Sequence, residues 1–207
     1  MDRGTPVRIL GMNRPRLLNG CAKSVTLVEA FEEQGWDAWT CDLLPSEGWH
    51  KHIQDDVLNY LKDNWDIAIF HPDCTYLANS GVRWLIERPE RMKLVKPAAD
   101  FFNKLLNAPI PMICVENPIQ HKYARQYIRH YDQLIQPYHF GDKESKATCL
   151  WLKGLPPLMA SFTGGQGIKQ SVFREPPSLN RKANRSRNFR GISQTMAKQW
   201  GCYEPSL

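Results

Sequence analysis

The sequence predicts an α/β domain in which a mostly parallel sheet is covered by helices on both faces. Short β-rich runs alternate with helical stretches between residues 17 and 116, the order that builds parallel strands through crossover helices. The runs are largely apolar, as strands buried on both faces must be. Three of them lead to a residue with chemistry: Asp42, Cys74 just beyond a proline, and Glu116.

The first strand is Leu17–Gly20, followed by a helix over Val25–Gln34 with apolar residues at 27, 28, 30 and 31 and Gly35 as its stop. Asp37–Asp42 is the second strand. A helix over Asp55–Asp63 leads to a strand at Asp66–Phe70, which Pro72 terminates, and helical periodicity returns over residues 89–107. Pro111–Glu116 is a further strand ahead of Asn117-Pro118. Leu134–Phe140 and Thr148–Leu152 are two more, joined by the polar turn Gly141–Lys146. From Pro156 to Asn188 no periodicity persists, and Gly164-Gly165 and Pro176-Pro177 mark loop, before a last helix over Ile192–Trp200. With 207 residues the chain buries one substantial core. The expected organisation is a core over residues 1–155, an irregular basic segment over 156–190, and a helix within 191–207 packing back on the core.

The six cysteines are scattered, several within apolar runs, which suits reduced thiols better than a disulfide framework. No run approaches the roughly 20 apolar residues that span a bilayer, and the N-terminus lacks a signal-peptide core, so the expectation is a cytoplasmic protein with no membrane partner. A net charge of +6 suits a nucleic acid or nucleotide as partner. Residues 169–190 crowd Lys and Arg against the single acid Glu175, which reads equally as a phosphate-contacting arm or a solvated loop.

In a parallel sheet the ends of successive strands project to one edge, so Asp42, Cys74 and Glu116 are expected to line one crevice. A free cysteine is more often a small buried hydrophobe, and its neighbours decide which it is. A thiol and a carboxylate in one pocket suit attack on a pyrimidine ring. The thiolate is the nucleophile, and a protonated Glu116 at the ring nitrogen draws electrons from the carbon under attack. Asp42 lies where doubly wound folds place an acid against ribose hydroxyls, and Asp56 is a further contact to a nucleoside. Tyr76, beside the thiol, is a candidate for stacking a base, as are Trp84, Tyr138 and Trp151. Lys146 with Lys143 is a candidate for phosphate, or else a solvated hairpin lysine. His71 reads either as an orienter of the thiol or as a strand-terminal histidine satisfied by backbone. His71 and Cys74, without a second cluster, make no metal site.

The succession GWDAWTCDLLP, HIQDDVLNYL, WDIAIFHPDCTYLANSG, ICVENP and FGDKESKATCLWLKGLPPL resembles the cytosine C5 DNA methyltransferase family, and more closely small phage and prophage proteins of that type, from about residue 16 to residue 201. The resemblance implies a Rossmann-like, methyltransferase-type fold with S-adenosylmethionine as cofactor. In that family a loop cysteine adds to C6 of cytosine, the Glu of an ENV tripeptide contacts N3, and C5 takes the methyl group. By resemblance Cys74 is the nucleophile and Glu116 the N3 partner, with Asn117 beside it on the substrate side. Asn19 and Gly20 stand in the cofactor turn, Asp42 at the ribose and Asp56 at the adenine. Arg185 and Arg187 are similar in type to paired arginines near the target base.

Three departures matter. The stretch Asn19–Val25 has one glycine where the family carries a glycine-rich turn that lets the cofactor approach the backbone. Asp73 replaces the proline before the nucleophile, and its charge, unless paired, is expected to lower the thiolate fraction. Residues 156–190 are too few for a separate target-recognition domain, which turns the expectation from duplex sequence reading toward single strands, a free nucleotide or a partner-supplied target. Two rival readings stand beside the methyltransferase: a non-catalytic nucleotide- or nucleic-acid-binding phage protein on a degenerate scaffold, and C5 chemistry with a different one-carbon donor.

Overall fold

The structure, a computed structural model, describes residues 14–161, 167–176, 178 and 188–202. Seven strands form one sheet: β1 (Arg16–Gly20), β2 (Asp37–Cys41), β3 (His52–Ile53), β4 (Ile67–Phe70), β5 (Met112–Asn117), β6 (Gln133–Ile135) and β7 (Thr148–Lys153). Their order is β3-β2-β1-β4-β5-β7-β6. All pairings from β3 to β5 are parallel, and only β7 runs against its neighbours. This is the doubly wound order, reversing between β1 and β4, with an antiparallel strand inserted before the last. It is the Rossmann-like, methyltransferase-type sheet the sequence predicts.

Alternate residues of each strand face opposite sides. Leu17, Ile67, Ile69 and Cys114 pack beneath α1 (Thr26–Glu33) and the C-terminal helix, whereas Leu18, Ala68, Phe70 and Val115 pack against α2 (Val82–Glu87) and α3 (Val95–Leu106). α1 buries Leu27, Val28, Ala30 and Phe31 and ends where Gly35 takes a φ of 85°. α3 buries Val95, Ala99, Phe102 and Leu106, a stripe at helical spacing. A single helical turn, α4 (Ser171–Arg174), interrupts the basic segment, which a β-bridge from Lys169 to Glu144 ties to the core. The C-terminal helix α5 (Arg190–Trp200) lies against α1, and its Trp200 donates Nε1–H to the Pro156 carbonyl at 3.0 Å. No helix among the described residues is long and apolar enough to cross a membrane.

Local expectations fail where side chains and prolines redirect the backbone. The helix expected over Asp55–Asp63 is only a 3₁₀ turn at Val57–Tyr60, because Asp56 caps its start and the Tyr60 carbonyl accepts Trp65 Nε1–H at 2.9 Å. The strand expected over Leu134–Phe140 stops at Ile135, since Pro137 has no N–H to extend a ladder, and Pro137–Phe140 is a 3₁₀ turn closed by Gly141 at φ 92°. Helical structure begins before residue 89, at α2, and a 3₁₀ stretch from Pro89 to Leu94 separates it from α3. β3 is two residues long, too short for any periodicity to announce it.

Candidate active site at the carboxyl edge of the sheet

Cys74 lies in the loop that leaves β4, and that loop is stitched to the segment leaving β5. Asn117 donates Nδ2–H to the Pro72 carbonyl at 3.0 Å, His121 Nε2 meets the Tyr76 carbonyl at 2.9 Å, and Asn79 N–H reaches the Ile119 carbonyl at 2.7 Å. A bridge between Ala78 and Gln120 completes the seam. Within the loop, the Cys74 carbonyl accepts from the N–H groups of Leu77 and Ala78, and Asp73 accepts from the Thr75 N–H at 2.8 Å, so a compact turn presents the partly exposed thiol. Asn117, buried to 2 % exposure, spends its amide N–H on this seam, and its Oδ1 has no partner among the described residues. Tyr76 sits beside it with the Arg91 guanidinium 4.8 Å from its ring centre.

Glu116 and His71 occupy matching positions at the ends of β5 and β4, one step beyond the pair Phe70 and Val115. The His71 Nδ1 and the Glu116 Oε2 are 3.1 Å apart, with the side chains 17 % and 18 % exposed. Burial pushes the Glu116 carboxyl up, but the His71 hydrogen bond, its charge and the Lys146 ammonium together pull it down to about 2. The Lys146 Nζ lies 5.6 Å from the Phe189 ring centre. Over the pair lie Leu27 of α1 and Phe189, Ile192, Ser193 and Met196 at the start of α5, leaving a cavity of about 10 Å³, room for about one water. Cys74 does not line this cavity. The start of α5 is pinned there because Asp142 accepts the Gly191 N–H at 3.0 Å, and a Cβ at Gly191 would come within 2.0 Å of the Phe140 carbonyl oxygen.

The other half of the edge, at β1, β2 and β3, carries the residues expected at the cofactor. Cys21, at φ 56°, makes the left-handed turn after β1 with no glycine at that position. Its thiol is pushed up to about 12, by burial first and then by the charges of Asp42, Cys41 and Asp56. Asp42 uses Oδ1 on the Leu44 N–H at 2.9 Å and Asp56 uses Oδ1 on the Leu58 N–H at 3.0 Å, which leaves each a second oxygen. Neither has a cationic partner among the described residues. Asn19 is fully buried, and neither Nδ2 nor Oδ1 has a partner among the described residues. Gly20 answers a packing demand, since a Cβ there would meet Phe70 at 2.6 Å and Val57 at 2.8 Å.

The structure therefore pairs Glu116 with His71 and sets Lys146 Nζ beside Phe189, which lies over that pair, while Asp42 and Asp56 follow the adjacent strands β2 and β3. Arg185 and Arg187 lie outside the described residues. His71 faces Glu116, a role distinct from orienting the thiol. The available signal was register: His71 lies two residues beyond Ile69 on the same face, as Glu116 lies two beyond Cys114. Phe189 and Ser193 carried no signal, because their place depends on how α5 docks.

No protein-family model matches the chain. No curated protein matches it either. Among solved structures it is similar to the Dnmt2 methyltransferase of S. pombe, at 19 % identity and a TM-score of 0.41, over 78 % of this chain and 53 % of that one. It is also similar to the methyltransferase EhMeth of Entamoeba histolytica, at 15 % identity and a TM-score of 0.44, over 82 % of this chain and 62 % of that one. The chain thus spans between half and two thirds of the length of these solved structures.

Proposed function

We propose that this protein is an S-adenosylmethionine-dependent methyltransferase acting at C5 of cytosine, or a related pyrimidine, in nucleic acid or a nucleotide. The observation that carries the reading is the seam between the β4 and β5 exits, which fixes a thiol-bearing loop against the segment that follows a buried carboxylate. Cys74 Sγ bonds to C6 of the ring, and Glu116 manages the proton at the ring nitrogen. The cofactor, when bound, supplies an electrophilic methyl group. The residues present fit its nucleoside half: Asp42 and Asp56 each keep an oxygen for ribose hydroxyls or the adenine amine. Asn19, whose amide has no partner among the described residues, would be available to the methionine half.

The surface after Cys74 favours a strand of nucleic acid over a free nucleotide as substrate. Trp84 is 43 % exposed, with Arg83 and Arg88 each 5.2 Å from its ring, and Tyr76, two residues from the thiol, has the Arg91 guanidinium 4.8 Å from its ring centre. A second reading, a nucleotide- or nucleic-acid-binding module without catalysis, is favoured by the cavity at Glu116, which admits no base while the start of α5 stays in place.

Trapping separates the two. Incubated with S-adenosylmethionine and a single-stranded oligonucleotide containing 5-fluorocytosine, the wild-type protein forms a covalent adduct that Cys74→Ser abolishes. Binding of the oligonucleotide with no adduct in either protein establishes the non-catalytic module instead.

A further inference from the structure

We propose that the excursion from Gly81 to Arg91 is a docking track for a single strand of nucleic acid, in which Trp84 and Tyr76 stack unpaired bases while Arg88 and Arg91 hold phosphates of the nucleotides beside the one at Cys74. This deepens the C5 reading, and it rests on that reading only for which nucleotide meets the thiol.

The excursion starts and ends against the thiol-bearing turn. At its start, a Cβ on Gly81 would lie 3.3 Å from the Thr75 carbonyl oxygen, so α2 springs from beside residue 75 and Trp84 follows within one helical turn. At its end, the Arg91 guanidinium lies 4.8 Å from the ring centre of Tyr76, whose carbonyl meets His121 Nε2 in the seam. Two turns join the ends: the Arg88 N–H donates to the Trp84 carbonyl and the Arg91 N–H to the Arg88 carbonyl, each at 3.0 Å. Both rings are thereby carried on chain tied at each end to the turn that holds Cys74.

The charges along this chain are left open to an anion. Between residues 83 and 93, Arg83, Arg88, Arg91 and Lys93 stand against Glu87 and Glu90. Glu87 is taken by Arg83 Nε at 2.6 Å. Arg88, Arg91 and Lys93 make no ion pair among the described residues. Arg91 is the most telling, because its Nε is buried with no hydrogen-bond partner among the described residues while the residue as a whole is only half-buried. A guanidinium so placed has lost water without gaining an anion, and an aromatic face offsets only part of that loss. A phosphate supplies the missing charge and accepts from the guanidinium fork. Trp84 and Tyr76 each offer a ring with guanidinium already beside it, the pairing of flat surface and charge that suits the bases and phosphates of a single strand. Ile86, 68 % exposed on the same helix, suits a protein partner, which the unpaired cations disfavour.

Binding of a labelled single-stranded oligodeoxynucleotide with a central cytosine, followed by fluorescence anisotropy at several salt concentrations, tests the track. Arg91→Gln is expected to bind about 10-fold more weakly and to lower the slope of log affinity against log salt by about 0.7, the value of one phosphate contact on a single strand. Arg91→Lys, which keeps the charge, is expected to keep the slope. Trp84→Ala is expected to weaken binding about 10-fold with the slope unchanged, the mark of a lost base stack, and the oligonucleotide annealed to its complement is expected to bind wild type about 10-fold more weakly. Wild-type affinity and slope in Arg91→Gln and Trp84→Ala, or a duplex bound as tightly as the single strand, overturns the track, and a Cys74-dependent adduct with the 5-fluorocytosine oligonucleotide then leaves the C5 reading standing without it. A lowered slope in Arg91→Gln with no adduct in wild type keeps the track and overturns the C5 reading. No binding by wild type at low salt overturns the track and gives Trp84 and Ile86 to a protein partner.

Discussion

The two halves of the sheet's carboxyl edge differ in their access to water. Beyond β2 and β3 the carboxylates of Asp42 and Asp56 are partly exposed and exposed, and each retains an oxygen without a partner among the described residues. At β4 and β5 the carboxylate of Glu116 is tucked under α5, paired with His71 and left with space for about one water. One sheet thus presents a half ready to accept hydroxyls and amines, and a half whose carboxylate is already paired with the neighbouring imidazole. Ligands of the open half need only displace solvent. Entry to the closed half must displace the Phe189–Ser193 turn, so access there is a conformational step as well as a binding step.

Breaking the closed half has the largest expected effect. His71→Ala leaves a mostly buried carboxylate without its hydrogen-bond partner and is expected to cost about 3–5 kcal/mol of stability, read from the urea midpoint. A loss below about 1 kcal/mol means the pair is hydrated in solution and the contrast between the halves is false. Acid titration probes the same contrast in the intact protein. The folded carboxyl of Glu116 sits at about 2 against an ordinary 4.5, so its contribution, about 3 kcal/mol, is fully present above pH 4.5 and drains away as pH falls toward 2. Glu116→Gln is expected to flatten that part of the stability curve, whereas Asp42→Asn is expected to leave it unchanged.

Next in size is the roof. Gly191→Ala places a methyl group against the Phe140 carbonyl and the Asp142 carboxylate, and is expected to cost about 1–3 kcal/mol. It is also expected to raise hydrogen exchange at Ile192 and Ser193 as the start of α5 lifts. Gly20→Ala meets the flexible ends of Phe70 and Val57 instead, and a similar cost there without changed exchange in α5 separates a packing defect from an opened site.

What the sequence disclosed follows from which interactions are local. The strands β1, β2, β4, β5 and β7 were legible because buried parallel strands are continuously apolar, and their alternation with helices gives the layering. Cys74 and Glu116 were legible as residues at or just beyond strand ends. The short β3, the 3₁₀ turn at Val57–Tyr60 and the early stop of β6 were not, because a capping Asp56, a tryptophan N–H on the Tyr60 carbonyl and Pro137 override weak local preference. The pairing of His71 with Glu116 depends on the register of two strands separated by more than 40 residues of sequence. The roof depends on the docking of α5, set by Gly191 packing against Phe140 and by Trp200 reaching Pro156.

The open half offers the smallest effect on stability and the sharpest test of what it is for. Among the described residues the Asp42 side chain is tied through one oxygen to the Leu44 N–H, in a loop whose Leu43 and Leu44 are 71 % and 57 % exposed. Asp42→Asn keeps that acceptor and removes the charge, so stability is expected to stay within about 0.5 kcal/mol of wild type. A ribose hydroxyl donating to the carboxylate loses a charge-assisted hydrogen bond, and affinity for S-adenosylmethionine by calorimetry is expected to fall about 10- to 100-fold. Asp56→Asn, farther out on the same edge, is expected to weaken binding less. If both variants bind S-adenosylmethionine as wild type does, the exposed carboxylates are solvated loop charges, and the difference between the two halves reflects only where α5 happens to lie.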